Sequence, residues 1–516
     1  MKKIYIAIAV LLSMLSFTNT TQAQKPLAAT SKNNTPLKEI MQEQAKLVAQ
    51  AKAASQTKAT EDNTVTHVDS KPAAKEDGDI QQRVTTADIM ATSHFGKNNP
   101  APLHSLLSWT PYNMAVCYEF QLWSGYDSEK SEQKNEQPVL IFSDMYIYAN
   151  ILDIDLTPYQ NTNGLVWRVR ALNIDRVPIS GFSHFEPLYI DGKNPGINYP
   201  QPLDNEGKDN SNGSVLLYPV YSFVAVPGAA KYEVELTDRE PENPLGTAPS
   251  EYRIWDKNFK YTSIYDDEPR MGSHPYFWRV RAFDAEDRPL GTYSPARHFM
   301  TDPSVGWQVG VFGDSISHGG GDMSYSPSDL NYSWLHYLSF PAVNLSYSGD
   351  TSATLLARFD ADVLPFHPHY LLIMGGTNSL RAGVKAESVI EDLQGIKEKC
   401  LKNNIKPIFL TLLPINPENI KKCFNESTAA DWQENFAKVN DYIRTQVHVD
   451  VMAAMPFGPE LLPTDMAVEG LHPTALVKRI IGETVSKQWD RVSEEADAEK
   501  YEPTETGNSE VDEAEN

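Results

Sequence analysis

Four short pieces of the chain carry residues whose types and order suit acyl transfer. They are Gly313-Asp314-Ser315-Ile316-Ser317, Ser348-Gly349-Asp350-Thr351-Ser352, Gly375-Gly376-Thr377-Asn378-Ser379 and Glu469-Gly470-Leu471-His472-Pro473. A serine hydroxyl is a weak nucleophile until a base takes its proton, and an imidazole is suited to that near neutral pH. Ser315 and His472 are the candidates for those two parts. A carboxylate three residues before the histidine, Glu469, can accept from Nδ1–H and fix the tautomer. The tetrahedral intermediate needs fixed donors, and the amides of Ser315 and Gly349 with the side-chain NH₂ of Asn378 offer three. Glycine at 349 lets the backbone approach a substrate closely. Any one piece is common in turns. Their ordered combination carries the chemistry.

The elements that must position them are legible from Val305 onward. Short apolar runs, WQVGVFGDS, PAVNLSYSG, YLLIMGGTN, KPIFLTLLP and VHVDVMAAM, alternate with helical patterns such as AESVIEDLQGIKEKCLKNN and AADWQENFAKVNDYIRTQ. That alternation predicts a parallel sheet covered on both faces. Three of the chemical pieces follow strands directly and the fourth lies on a late loop. Ligands of open α/β sheets sit at those carboxyl ends.

The ordered set resembles the SGNH/GDSL hydrolases from about Trp307 to Val492, with Ser315, Gly349, Asn378 and His472 at the matching positions. SGDTS followed by LLARF, and the LR soon after Asn378, are most similar to the bacterial thioesterase/lysophospholipase and arylesterase branch. The resemblance implies a three-layer, flavodoxin-like α/β fold with a five-stranded parallel sheet. It also implies hydrolysis of esters or thioesters with no cofactor and no metal. Two positions depart from the pattern. Glu469 stands where the family usually has Asp; its longer arm reaches Nδ1 if the loop yields, with Asp465 as the substitute acid, or with no acid needed. Ser379 stands where Asp often follows the asparagine, which leaves the donor role of Asn378 intact and the loop held in another way.

The remaining histidines are poorer candidates. His318 follows the nucleophile turn and is placed at the pocket lining, whereas His367 and His369 precede a strand, on the wrong side of the sheet. As a pair those two lack a third metal ligand. His336 and His448 lie on apolar-patterned segments and read as packed.

Upstream lies an internal repeat. CYEFQL at Cys117 recurs as KYEVEL at Lys231, and WRVRALNIDRVPISGFS at Trp167 recurs as WRVRAFDAEDRPLGTYS at Trp278. Pro178/Pro289, Phe182/Tyr293 and Ser183/Ser294 keep the second offset. The alternation of Trp-Arg-Val-Arg-Ala predicts half-buried strands, with the arginines on an outward face in preference to a glycan or anion contact. The period suits two β-sandwiches of ~100 residues. From about Pro100 to Thr301 the pattern resembles fibronectin type III-like modules, with Trp109 of the first copy matched by Phe223 of the second. The expected organisation is multidomain: a signal peptide at 1–23, a low-complexity linker at 24–95, two all-β sandwiches at 96–191 and 192–302, the α/β domain at 303–492 and an acidic tail at 493–516.

Charge and targeting bound the rest. A net charge of −23 over 516 residues argues against a nucleic-acid partner. Lys2 and Lys3, the apolar run Ile4 to Leu15 and the small-residue site ending at Ala23 read as a cleaved signal peptide, well short of the ~20 residues a spanning helix needs. The protein is therefore expected to be secreted, or periplasmic or at the cell surface of a bacterium, with no transmembrane segment. LKEIMQEQAKLVAQAKAA adds one marginal helix to the linker, and SEEADAEKYEPTETGNSEVDEAEN reads as a disordered tail. Cys117 reads as a small buried residue, and Cys400 and Cys423 flank one predicted strand and could pair in an oxidising compartment.

The resulting expectation is a secreted serine esterase acting on an ester substrate, with short acyl groups on glycans favoured by export, by the two β-modules and by the small-residue loop HGGGDMSYSPS. The modules leave room for a cell-surface glycan contact. The alternatives are a lysophospholipase or thioesterase, and a catalytically inactive glycan-binding or adhesion protein.

Overall fold

The computed structural model describes residues 88–112, 114–126, 138–203, 215–319 and 330–500, all within one packed unit that starts at Val84. The expected signal peptide, most of the expected linker, the loop that follows Gly319 and residues 501–516 of the expected tail lie outside the described residues.

The repeat is one architecture built twice. In the first copy β1 (His104–Ser108) pairs with β4 (Ile151–Asp155). Beside that pair lies a four-stranded antiparallel sheet of β2 (Cys117–Ser124), β3 (Val139–Ile147), β5 (Val166–Leu172) and β6 (Glu186–Pro187), in the order β3-β2-β5-β6. In the second copy β7 (Val220–Ser222) pairs with β10 (Ser263–Tyr265), and β8 (Lys231–Thr237), β9 (Arg253–Phe259), β11 (Tyr276–Phe283) and β12 (Arg297–Phe299) form a sheet ordered β12-β11-β8-β9. The repeated letters mark repeated bonds. Tyr118 Oη accepts from Tyr112 N at 2.9 Å, and Tyr232 Oη accepts from Val226 N at 3.0 Å. Ser183 and Ser294 hydroxyls accept from Val169 N and Val280 N at 3.0 and 3.1 Å. Each copy has its own core, around Trp109, Phe120 and Trp167 in the first and around Tyr221, Phe223 and Trp278 in the second. The first core also takes in Ile89, so packing starts inside the stretch expected to be linker.

The arginines of WRVRA do not form an outward face. Arg279 and Glu235 are both 0 % exposed and bonded at 2.5 Å, and Arg253 joins Glu235 at 2.6 Å. The reason is a segment between β8 and β9 that folds over this side: Asn243 accepts two bonds from Arg279, and Ser250 N donates to Glu235. In the first copy Arg170 pairs with Glu119 at 2.6 Å and Arg168 lies 4.0 Å from the Phe182 ring centroid. Opposite charges sit in register across the strands, Arg279 against Glu235 and Arg170 against Glu119.

From Val309 the chain forms five parallel strands: β13 (Val309–Gly313), β14 (Val343–Asn344), β15 (Tyr370–Met374), β16 (Lys406–Leu410) and β17 (His448–Val449), ordered β14-β13-β15-β16-β17. Every residue of β13 is buried, as a strand covered on both faces requires. The helices are α1 (Ser315–His318), α2 (Ser352–Asp362), α3 (Thr377–Arg381), α4 (Ala386–Lys402), α5 (Pro417–Phe424), α6 (Trp432–Arg444) and α7 (Ala475–Ala498). Helices α2, α4 and α6 pack side by side, while α7 packs with the 3₁₀ turn Trp334–Tyr337. Helix α7 runs six residues into the stretch expected to be a disordered tail, because Ala496 continues the buried stripe of Val485 and Val492. The strand order reverses between β14 and β15 on either side of β13, which opens a crevice at the carboxyl ends of β13 and β15. The outer edge of β14 is covered: Leu217 N donates to Asn344 O and Asn344 N to Val215 O, both at 2.9 Å. The three cysteines are unbonded, with Cys117 and Cys400 buried.

Candidate active site

Strand β13 ends at Gly313, where a side chain would collide with Met374 O at 2.3 Å. Asp314 then caps α1, its carboxylate accepting from Ile316 N at 3.0 Å, a bond worth about 1 kcal/mol. Ser315 is thereby fixed as the first residue of the helical turn, at the mouth of the crevice.

The loop after β14 turns at Gly349, whose φ of 92° is left-handed backbone that favours glycine. Below it Asp350 is anchored by Arg358 Nε at 2.6 Å and by Thr354 Oγ1 at 2.8 Å, and Thr351 closes a reciprocal cap with Thr354. After β15, Asn378 is the second residue of α3. Its Nδ2 donates to Asp350 O at 2.9 Å and its Oδ1 accepts from Arg381 Nε at 3.2 Å, so one amide proton remains to point elsewhere. Ser379 accepts from Ser352 N at 2.9 Å, and Ser352 Oγ donates to Asp392 at 2.6 Å. That chain of hydroxyls is how the loop is held with serine at 379.

The late loop brings the imidazole in. His472 Nε2 lies 2.7 Å from Ser315 Oγ, and Nδ1 lies 2.6 Å from Glu469 Oε1. A carboxylate only accepts, so Nδ1 carries the proton and Nε2 is the acceptor for the serine hydroxyl. The same oxygen of Glu469 also accepts from His472 N at 2.7 Å and Leu471 N at 3.2 Å. The longer acid thus reaches the ring by curling under its own loop. Asp465 is exposed on the 3₁₀ turn Thr464–Met466.

Ser315, Gly349, Asn378 and His472, 157 residues apart at the extremes, line one cavity of about 360 Å³. Among the described residues, the amides of Ser315 and Gly349 have no acceptor within the fold. Three N–H donors not taken up by the fold therefore belong to residues that line the same cavity as a hydroxyl paired to an imidazole, an arrangement suited to acyl transfer.

Other groups surround the site. His318 is fully buried; its Nε2 donates to Tyr218 O at 2.7 Å and its Nδ1 accepts from Ser348 Oγ at 2.8 Å. Burial lowers its pKa to about 4, which keeps the ring neutral. It braces the wall from behind, where the sequence reading put it on the lining. Lys478 of α7 donates to Ile316 O and is also fully buried. Burial raises the pKa of Asp314 to about 6. Tyr265, from the second β-region, lines the cavity. Of the outlying histidines, His369 pairs with Asp497 at 3.1 Å. Among the described residues, no group of three or more His, Cys, Asp or Glu is placed to hold a metal ion, and no helix is long and apolar enough to cross a membrane.

Residues 311–480 match the GDSL-like lipase/acylhydrolase family. Over 185 residues the chain is 30 % identical to thioesterase 1/protease 1/lysophospholipase L1 of Escherichia coli K12, covering 34 % of this chain and 81 % of that protein. Among solved structures, a GDSL-like lipase from Bacteroides thetaiotaomicron is similar at 20 % identity and a TM-score of 0.29, covering 36 % of this chain and 87 % of that one. A catalytic mutant of an acetylxylan esterase from Geobacillus stearothermophilus is similar at 18 % identity and a TM-score of 0.27, over 36 % of this chain and 94 % of that one.

Proposed function

We propose, for a chain that belongs to the GDSL-like lipase/acylhydrolase family of carboxylic ester hydrolases, that it is an exported serine esterase acting on short acyl groups carried by glycans. Ser315 attacks the acyl carbonyl as His472 Nε2 takes the hydroxyl proton. Glu469 holds the imidazolium that forms. The oxyanion settles against the amides of Ser315 and Gly349 and the remaining amide proton of Asn378. His472 returns its proton to the leaving alkoxide, and water, activated by the same imidazole, releases the acid.

The observation that carries this reading is the unbroken relay from Ser315 Oγ through His472 to Glu469, at 2.7 and 2.6 Å. Its test is Ser315→Ala with 4-nitrophenyl acetate. Turnover is expected to fall by at least ~10⁴ with the melting temperature held, and a fluorophosphonate probe is expected to label the parent and spare the variant. Undiminished turnover would refute the assignment.

Polar groups around the cavity, Arg381, Glu426 and Ser348, support a polar alcohol portion in the substrate. The 30 % identity to the Escherichia coli thioesterase/lysophospholipase favours a second reading, with lysophospholipid or thioester substrates. Rates on acetylated xylan against lysophosphatidylcholine separate the two. The two β-regions are proposed to be fibronectin type III-like modules within the boundaries given above, and export to run through a signal peptide cleaved after about Ala23.

A further inference from the structure

The cavity beside Ser315 is not built from the α/β region alone. Tyr265, the last residue of β10 in the second β-region, lines it together with Tyr347. Contacts on several sides fix the position of that tyrosine. It pairs with Val220 across β7 and β10, its carbonyl accepts from Lys257 Nζ at 3.1 Å, and its ring meets the His318 ring edge-on at 5.8 Å.

His318 is the keystone of this arrangement. It belongs to the same helical turn as Ser315, and its two ring nitrogens hold Tyr218 of the second β-region and Ser348 of the Gly349 loop. Tyr218 in turn donates to Asp362 at 2.8 Å and packs 4.6 Å from the Tyr347 ring. Val215 and Leu217, just before it, belong to the same apolar core as the parallel sheet. The second β-region is therefore joined to the nucleophile turn through buried hydrogen bonds and a shared core. Tyr265 is thereby held in place as part of the crevice wall.

Resting on the esterase reading above, we infer that Tyr265 is a specificity-determining residue. Its ring and that of Tyr347 form the subsite for the sugar ring that bears the scissile acyl group. The second β-region then supplies part of the substrate pocket. Sugar rings present C–H faces that pack on aromatic rings and hydroxyl edges that need donors and acceptors. The cavity offers both: Tyr265 and Tyr347 as faces, and the Arg381–Glu426 pair, bonded at 2.6 Å, as a polar edge. An acyl chain alone would have no polar groups to meet that edge.

The experiment compares Tyr265→Ala and Tyr265→Leu with the parent on an acetylated xylo-oligosaccharide and on 4-nitrophenyl acetate, which has an acetyl group and no sugar. Both variants are expected to lose about tenfold more in kcat/KM on the oligosaccharide than on 4-nitrophenyl acetate, chiefly through KM. Unchanged labelling by the fluorophosphonate probe certifies that the nucleophile is intact in each variant. Equal losses on both substrates, or none on the oligosaccharide, would overturn the inference. A parent protein inert toward 4-nitrophenyl acetate would instead overturn the esterase reading, so the two failures are distinct.

Discussion

Lys478 donates its buried ammonium to the main-chain carbonyl of Ile316, the residue after Ser315. Helix α7 is thereby tied to the turn that presents Ser315. Removing an ammonium from water is costly, and here burial lowers the lysine's pKa to about 7. Asp314 and Glu469 offset part of that cost with their charges. Among the described residues, Asp314 Oδ2 and Glu469 Oε2 are buried without a hydrogen-bond partner, so both carboxylates turn one bare oxygen to the interior. The interior behind the site is a charge cluster in which each member lacks something.

Replacement of Lys478 by Met separates the stability of this cluster from its use. The folded protein sheds the lysine proton near pH 7, the unfolded chain near ~10.4, so the parent carries an unfavourable charge below about pH 7 that fades as pH rises toward ~10. The stability of Lys478→Met relative to the parent is expected to be highest below pH 7 and to fall over that window, read by thermal unfolding at pH 6, 8 and 10. Its kcat is expected to drop about tenfold or more, because the Ile316 carbonyl loses its anchor and Ser315 its placement. A variant that matches the parent in kcat would show that α7 does not position Ser315.

Glu469 accepts three hydrogen bonds with one oxygen, and two of them come from its own loop. In Glu469→Gln those backbone bonds can persist, while the negative charge opposite Nδ1 is gone. The expected result is a kcat lower by ~10²–10⁴ with KM little changed. Glu469→Asp is expected to fall between, since the shorter arm must give up a loop amide to reach the ring. Steady-state kinetics on 4-nitrophenyl acetate would decide it; full activity in the Gln variant would make the acid dispensable.

Much of this site was legible because the sheet imposes an order on the sequence. Ser315, Gly349 and Asn378 each follow a short apolar run, and any chain wound as a parallel sheet must bring those ends together. The strand alternation with α4 and α6 was equally plain. What escaped was contact across the chain. Nothing near His318 announces a bond to Tyr218, a hundred residues earlier, and nothing near Tyr265 marks it as a pocket wall. Alternation in WRVRA located the strand, yet alternation alone cannot say what covers the second face. The signal was present in the glutamates of KYEVEL, spaced to meet Arg279 and Arg281 across β8 and β11. The end of α7 was missed because Glu and Asp dominate the composition there and hide the Val492–Ala496 stripe.

Asp314 offers a pH-dependent test of the turn that carries Ser315. Burial raises its folded pKa to about 6, above the ~3.9 of an unfolded chain. Between those values the folded state holds more protons than the unfolded one, so this group's contribution to stability is lost as pH rises through about 6. Asparagine keeps the oxygen that caps Ile316 N and cannot ionise. Asp314→Asn is therefore expected to gain on the parent by up to ~3 kcal/mol between pH 4 and pH 8, measured by urea unfolding at both. A constant difference across that range would mean that the carboxyl does not titrate there.

Glu235 tests the buried charges of the second β-region, where Arg279 and Arg253 meet it from two strands and Ser250 N from the covering segment. Truncation to alanine strips two guanidinium groups of a common partner, and Arg279 has no access to water. The expected loss is ~3–5 kcal/mol, because the uncompensated charge stays behind. Removing the arginine as well, in Glu235→Leu with Arg279→Met, replaces the ion pair by apolar volume and is expected to recover most of that loss. Urea unfolding of the three proteins reads the difference directly. Since β8 and β11 lie in the same region as Tyr265, the alanine variant should also raise KM on an acetylated oligosaccharide, and the double variant should restore it. A single variant as stable as the parent would place these charges in solvent, against the zero exposure of Arg279 and Glu235.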